Sequence, residues 1–298
     1  MTKEEISKGF QELQNAICTR LEEVDGVSKF QEDNWSRPDG GGGKTRIIKG
    51  NGVIEKGGVN FSEVHGPVTD LMRQNTEISA DSFFATGVSI VLHPHNPHIP
   101  IIHMNVRYFE LSDGKYWFGG GIDLTPHYVI SNQATQFHKG LKEICDRYNT
   151  TFYLKFKKWA DDYFFIPHRN ETRGVGGIFF DHLSENPELT KFDIFNFCVD
   201  LGMAFPELYK YQVEQGKDLS FSEDEIDWRN TRRGRYVEFN LVNDRGTKFG
   251  LVSGGRTESI LMSLPATAQW EYCKEIKPSS PEESTLNLLK KGINWIQC

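Results

Sequence analysis

Residues 101–111 read Ile-Ile-His-Met-Asn-Val-Arg-Tyr-Phe-Glu-Leu, and His103, Asn105 and Arg107 fall two apart. In an extended strand side chains alternate, so these three share one face while Met104, Val106 and Tyr108 share the other. An imidazole moves protons near neutral pH, an amide donates and accepts, and a guanidinium grips carboxylates through a planar fork. The preceding apolar stretch repeats the device: Ser89, Val91 and His93 share a parity, so Ser89 and His93 can join the same face. A plain solvated sheet surface would give the same alternation. Such a surface is usually rich in Lys, Glu and Thr, and a His/Asn/Arg/Ser set looks more like the lining of a pocket.

Further along, Tyr116-Trp-Phe-Gly-Gly-Gly-Ile-Asp-Leu-Thr-Pro126 runs a strand into three glycines, which allow close backbone approach to something bulky or flat, and then presents Asp123. Asp123 is a candidate acid, with a simple turn cap before Pro126 as the alternative. The pairing of glycine with arginine and aromatics recurs in residues 169–181 and in Ser253-Gly-Gly-Arg256. Four of the nine histidines crowd into residues 93–103 and raise a metal reading. Against it, there is no H-E-x-x-H, no helix-borne His pair four apart and no cysteine nearby. No Gly-x-Ser-x-Gly elbow is present either, and Cys18, Cys145, Cys198, Cys273 and Cys298 form no C-x-x-C pair. The run at residues 38–45 imitates a phosphate-binding P-loop, but Pro38 stands where its first glycine belongs and no strand-to-helix context surrounds it. A mobile glycine-rich loop over a site elsewhere is the expectation for Gly40–Gly43.

The elements that must position these groups alternate in type. Helices are expected at 3–24, at 134–160 with a break near Tyr148, at 191–213 and at 281–291 after a Ser280 cap. Strands are expected at 85–92, 101–111, 115–118, 176–182, 235–242 and 248–253, with Ser112-Asp-Gly and Asn243-Asp-Arg-Gly as hairpin turns that force antiparallel pairing. No repeat or linker divides the 298 residues, so a single α+β domain over 1–298 is expected, a large, mainly antiparallel sheet flanked on both faces by helices. A net charge of −7 argues against nucleic acid, although Trp228-Arg-Asn-Thr-Arg-Arg-Gly-Arg235 makes a local basic patch, either solvated or part of a pocket. No apolar run is long enough for a membrane span, and the N-terminus has neither a signal-peptide core nor a transit-peptide composition, which favours the cytosol.

Six blocks occur in collinear order: "GGGGKTRIIKGNGVIEKGGVN", "HPHNPHIPIIHMNVRYFE", "WFGGGIDLTP", "YFFIPHRNETRGVGGIFFD", "YVEFNLVNDRGTKFGL" and "SGGRTESILMSLP". Together they resemble the oxygen-dependent coproporphyrinogen III oxidases over nearly the whole chain. The resemblance implies oxidative decarboxylation of two propionates of a porphyrinogen to vinyls, with O₂ as co-substrate, no organic cofactor and a disputed metal. It implies that His103 is a proton donor and that Asp123 grips pyrrole N–H groups, with Asp244 beside Arg245 a second acid or merely a turn pair. Substrate contacts are implied at Ser89, Asn105, Val106, Arg107, Gly254, Gly255 and Arg256, and metal ligands at His93, His103, His138 and His168. A flat sheet, a homodimer with the 236–251 hairpin near the contact, and a substrate-covering role for Gly40–Gly43 complete the implied picture. Ile122, Asn243 and Pro265-Ala266 depart from the usual pattern and bear on packing more than chemistry. The rival from another class is a tetrapyrrole carrier that kept the pocket without the reaction.

Overall fold

The computed structural model describes residues 1–38, 40–69, 73, 80–252 and 255–297. Helix α1 (Lys3–Asp25) is fixed by its own ends: Thr2 and Glu5 form a reciprocal capping box, and Gly26 at φ +75° lets the chain leave in the left-handed conformation. Its stripe of Ile6, Phe10, Leu13, Ile17 and Leu21 is buried against the sheet that follows. That sheet begins with β1 (Gln31–Ser36), β2 (Gly41–Lys49), β3 (Ile54–Pro67), β4 (Ser82–Pro94), β5 (Ile101–Leu111) and β6 (Tyr116–Thr125). Helices α2 (Ser131–Asp146) and α3 (Phe152–Tyr163) and the short pair β7 (Phe165–Ile166) and β8 (Glu171–Thr172) intervene before β9 (Gly176–Leu183) closes the edge. The seven strands lie in the order β1-β2-β3-β4-β5-β6-β9, antiparallel throughout.

Strand parity divides the sheet into two unlike faces. Ile90, Leu92, Ile102, Met104, Val106, Tyr108, Ile122 and Ile178 point to one side and are fully buried with α1, α2, α3 and α4 (Lys191–Gly216) in one core. The opposite side carries Ser89, His103, Asn105, Arg107 and Asp123, and is covered in part by α5 (Glu223–Glu238) and α7 (Thr257–Leu261). On that cover, Ser259 accepts the amide of Asn60 at 2.8 Å through its carbonyl and bonds Thr45 through its hydroxyl at 2.8 Å. The α+β class, the antiparallel sheet and helices on both faces agree with the expectation.

Several boundaries do not. The segments 235–242 and 248–253, expected as strands, belong to α5, a π-helical turn (Phe239–Asn243) and α6 (Arg245–Val252), with residue 253 outside the described residues. There is therefore no hairpin at Asn243-Asp-Arg-Gly. Asp244 instead caps α6, its carboxylate accepting the Thr247 N–H at 2.6 Å. The physical reason is that the inward stripe of α5 is made of Trp228, Arg229, Arg232, Arg233 and Tyr236, and hydrophobic periodicity does not register arginine as a buried residue. Nor is the arginine run a solvated patch: Arg233 is fully buried on the Pro94 carbonyl and Glu55, and Arg232 on Glu171. The polar, glycine-rich strands β1 to β3 escaped the same reading, apart from a short strand broken by turns that is legible from residue 46 onward. Gly42 and Gly43 are paired on both sides, to β1 and to β3, and Gly41 to β3, so they are sheet and not a free loop. Gly119–Gly121 likewise continue β6 where the sequence suggested that it stops.

Candidate active site

The register gathers the polar residues into rows across the strands. Val91, His103, Asp123 and Gly177 lie opposite one another on β4, β5, β6 and β9. The next row is Thr45, Asn60, Ser89, Asn105 and Gly121, and the next pairs Gly87, Arg107 and Gly119. Glycine at 119 has a mechanical reason: a Cβ there would stand 2.7 Å from Arg107 Nη2 and 2.6 Å from Asp181 Oδ1, in the space through which the guanidinium crosses β6. Arg107 thus reaches Asp181 at 2.9 Å and donates to Asn105 Oδ1 at 3.0 Å, its side chain 36% exposed and open to a ligand.

Beneath this row sits a charge relay. Asp123 is 1% exposed, and its Oδ1 accepts Nδ1–H of His103 at 2.8 Å. Arg173 Nη2 donates to both oxygens of the same carboxylate, at 2.8 and 2.7 Å. Burial alone would raise the Asp123 carboxyl, but the Arg173 charge and the His103 hydrogen bond outweigh it and hold the group below the ordinary carboxylate range. Arg173 itself is walled by rings, its guanidinium carbon 4.3 Å from the centre of Phe164, 4.6 Å from Phe239 and 4.8 Å from Tyr236. With Nδ1 committed to Asp123, the nitrogen that His103 offers a ligand is Nε2, and 22% of its side chain is exposed on the polar face. Both oxygens of Asp123 thus serve protein donors, and the carboxylate lies directly beside the partly exposed His103.

The remaining expected residues divide. Ser89 and Asn105 take their places on the face. The side chain of Val106 does not, since its parity sends it, fully buried, into the core. Arg256, at the start of α7, pairs with Asp33 on β1, four strand spacings or about 19 Å from the His103 strand. Gly255 donates its N–H to the Gly250 carbonyl at 2.8 Å, while Gly254 lies outside the described residues. Asp244 accepts from Tyr163 at 2.7 Å besides capping α6, which makes it a fastening of the aromatic wall.

The implied metal ligands do not converge. His93 is fully buried, bonded through Nε2 to the Ser263 carbonyl at 2.8 Å, with its ring edge on Tyr236. His138 lies on the core side of the sheet with both nitrogens engaged, by the Tyr153 hydroxyl and the Val175 carbonyl at 3.0 Å each. His168 bonds Glu238 at 2.9 Å. Among the described residues no three His, Cys, Asp or Glu side chains are grouped to hold an ion. These four imidazoles do not fit one metal, and no step is built on it.

Comparison with known proteins decides the family. The signature described as coproporphyrinogen III oxidase matches residues 5–295. The chain belongs to the coproporphyrinogen III oxidase family. It is similar to the oxygen-dependent coproporphyrinogen-III oxidase of Prochlorococcus marinus strain SARG, with 46% identity over 95% of this chain and 89% of the relative. The protein of the same name from strain NATL1A is 45% identical over 95% of this chain and 88% of its own. Within this family's site, three residues went unnoticed in the sequence: Arg173, Asp181 and Asn240. Arg173 lies within the pairing of arginine with glycine noted at residues 169–181, which by itself gave it no role.

Proposed function

We propose that the protein catalyses the oxygen-dependent conversion of coproporphyrinogen III to protoporphyrinogen IX. Each of two propionates loses CO₂ from its carboxylate end and one hydrogen with two electrons, a hydride equivalent, from its β-carbon, leaving a vinyl, while those two electrons, that hydrogen and one proton from solvent convert O₂ to H₂O₂. The substrate is its own reductant, so the reaction calls for no organic cofactor. Family membership carries the reading, and the Arg173–Asp123–His103 relay beneath the polar face supplies its chemistry.

Binding falls to the face. Arg107 and Arg256 already hold carboxylates of the protein, Asp181 and Asp33, and a substrate carboxylate takes the same fork by exchange. Two such arginines suit a substrate that carries several carboxylates. His103, oriented by Asp123, is the proton-transfer group at Nε2. The buried relay keeps one negative and one positive charge under the reacting edge, so that charge developing on the ring meets a fixed environment and not reorganising water.

The same reading includes a homodimer in the cytosol. Exposed Leu241, Val242 and Leu251 follow α5, and the nearby Trp270 is 55% exposed, apolar area suited to a second copy. Cys18, Cys145, Cys198 and Cys273 are all unpaired, as a reducing compartment favours. No helix among the described residues is long and apolar enough to cross a membrane.

The test is an assay with coproporphyrinogen III taken from anaerobic to aerobic conditions, following vinyl product, CO₂ and O₂ uptake together. Two CO₂ released per tetrapyrrole, and only after O₂ is admitted, is the expected result. Substrate that binds and is returned unchanged would make the protein a carrier.

A further inference from the structure

Arg173 can donate five hydrogen bonds in one plane. Its aromatic walls resist tilting of that plane but give no direction within it. Direction comes from two contacts at opposite ends of the fork: Nη2 on Asp123, and Nη1 on Asn240 Oδ1 at 3.0 Å. Asn240 is 5% exposed and sits in the π-helical turn that extends α5, a widened turn closed by Asp244 N–H on the Phe239 carbonyl at 2.8 Å. Tyr236, Phe239 and Asn240 face inward from this stretch, whereas Leu241 and Val242 are turned out to 44% and 52% exposure. Two walls of the guanidinium slot and its end stop therefore come from one helix terminus.

We infer that Asn240 is a positioning residue for the reaction, acting through Arg173 on the Asp123–His103 pair. Packing does not require an amide here. The neighbours are aromatic, leucine has the same branched skeleton though more bulk, and the amide Nδ2 lies on the side of the Tyr236 hydroxyl. What the amide supplies is an acceptor. Arginine only donates, so Oδ1 must face Nη1, and without it the guanidinium turns in its slot while Asp123 loses a fixed partner. Asp244 is directed elsewhere, one oxygen on the Tyr163 hydroxyl and the other on the Thr247 N–H.

The inference rests on the reading that this face is where coproporphyrinogen III reacts, and wild-type turnover is the control for it. Asn240→Leu keeps the branched skeleton and removes the acceptor, whereas Asn240→Asp keeps both. The expected result is that Asn240→Leu lowers kcat about 10-fold or more with KM within about 3-fold, while Asn240→Asp stays within about 3-fold of wild type. A packing role predicts losses that track melting temperature and not the presence of an acceptor, since overpacking acts on stability. In an Arg173→Gln background, Asn240→Leu is expected to cost nothing further. Should Asn240→Leu retain wild-type kcat, or its loss multiply with that of Arg173→Gln, the inference is wrong. An inactive wild type would instead remove the functional reading and this one with it. If the Arg173 variant does not fold, the order of Leu and Asp at 240 still decides.

Discussion

At the level of single residues, the two partners in the relay have separable duties. His103 is partly exposed and its loss leaves no buried charge alone, whereas Asp123 neutralises an arginine that is 2% exposed. Replacing His103 by Gln is expected to lower kcat by about 100-fold or more with unchanged folding stability. Replacing Asp123 by Asn is expected to lower kcat similarly and also to cost about 3–5 kcal/mol of stability, because Arg173 is left buried without its counter-charge. Steady-state kinetics alongside urea unfolding of both variants reads the difference, and equal stability losses would contradict these roles. A second expectation follows from the scattered imidazoles. Their nitrogens already bond Ser263, Tyr153, Val175 and Glu238, so turnover should survive exhaustive chelation of divalent ions. Activity lost on chelation and regained with one metal would show a ligand set other than this one.

Among the elements, β6 carries the most function per residue, with its glycines clearing space on one face and Asp123 pointing into it. Gly119→Ala puts a methyl against the Arg107 guanidinium and Asp181, a contact that flexible side-chain ends relieve by moving away. The expected outcome is a KM raised about 5- to 10-fold, with kcat and melting temperature nearly unchanged. A normal KM would mean that the pair of Arg107 and Asp181 does not meet the substrate. The element hardest to read was α5. Its caps, Ser222 with Glu225, were legible in principle, but its buried arginines hid the inward face and the alternation around 235–242 imitated a strand. The helices at 3–25, 191–216 and 281–288 were legible because their inward stripes or caps are of the ordinary kind.

For the molecule as a whole, acid lability follows from histidines folded neutral. His93 and His127 are held well below their ordinary pKa by burial and by Arg233, and His138 is pushed down to about 3 by burial. A folded-state pKa below the unfolded one means that the unfolded chain binds more protons, so stability is complete above about pH 6.5 and falls with acidification. Each histidine costs up to about 1.4 kcal/mol per pH unit below that point. Glu238, lowered to about 2 against burial by Arg169, His168 and Trp270, adds a loss in the same direction below its ordinary pKa of 4.5. Thermal melts from pH 7.5 to 4.5 should show a steep decline, and His138→Gln should flatten it; a flat wild-type profile would mean that these rings are not buried neutral in solution. The sequence by itself determined the α+β class, the parity that aligns His103, Asn105 and Arg107, and the family, because alternation and ordered motifs are local properties of the chain. Only the tertiary structure decided that Asp123 is shut beneath His103, that Arg173 and Asn240 hold it there, and that His138 lies across the sheet. Those facts depend on the register between strands and on a helix folded back over them, contacts between residues 20 to 67 positions apart that no local pattern encodes.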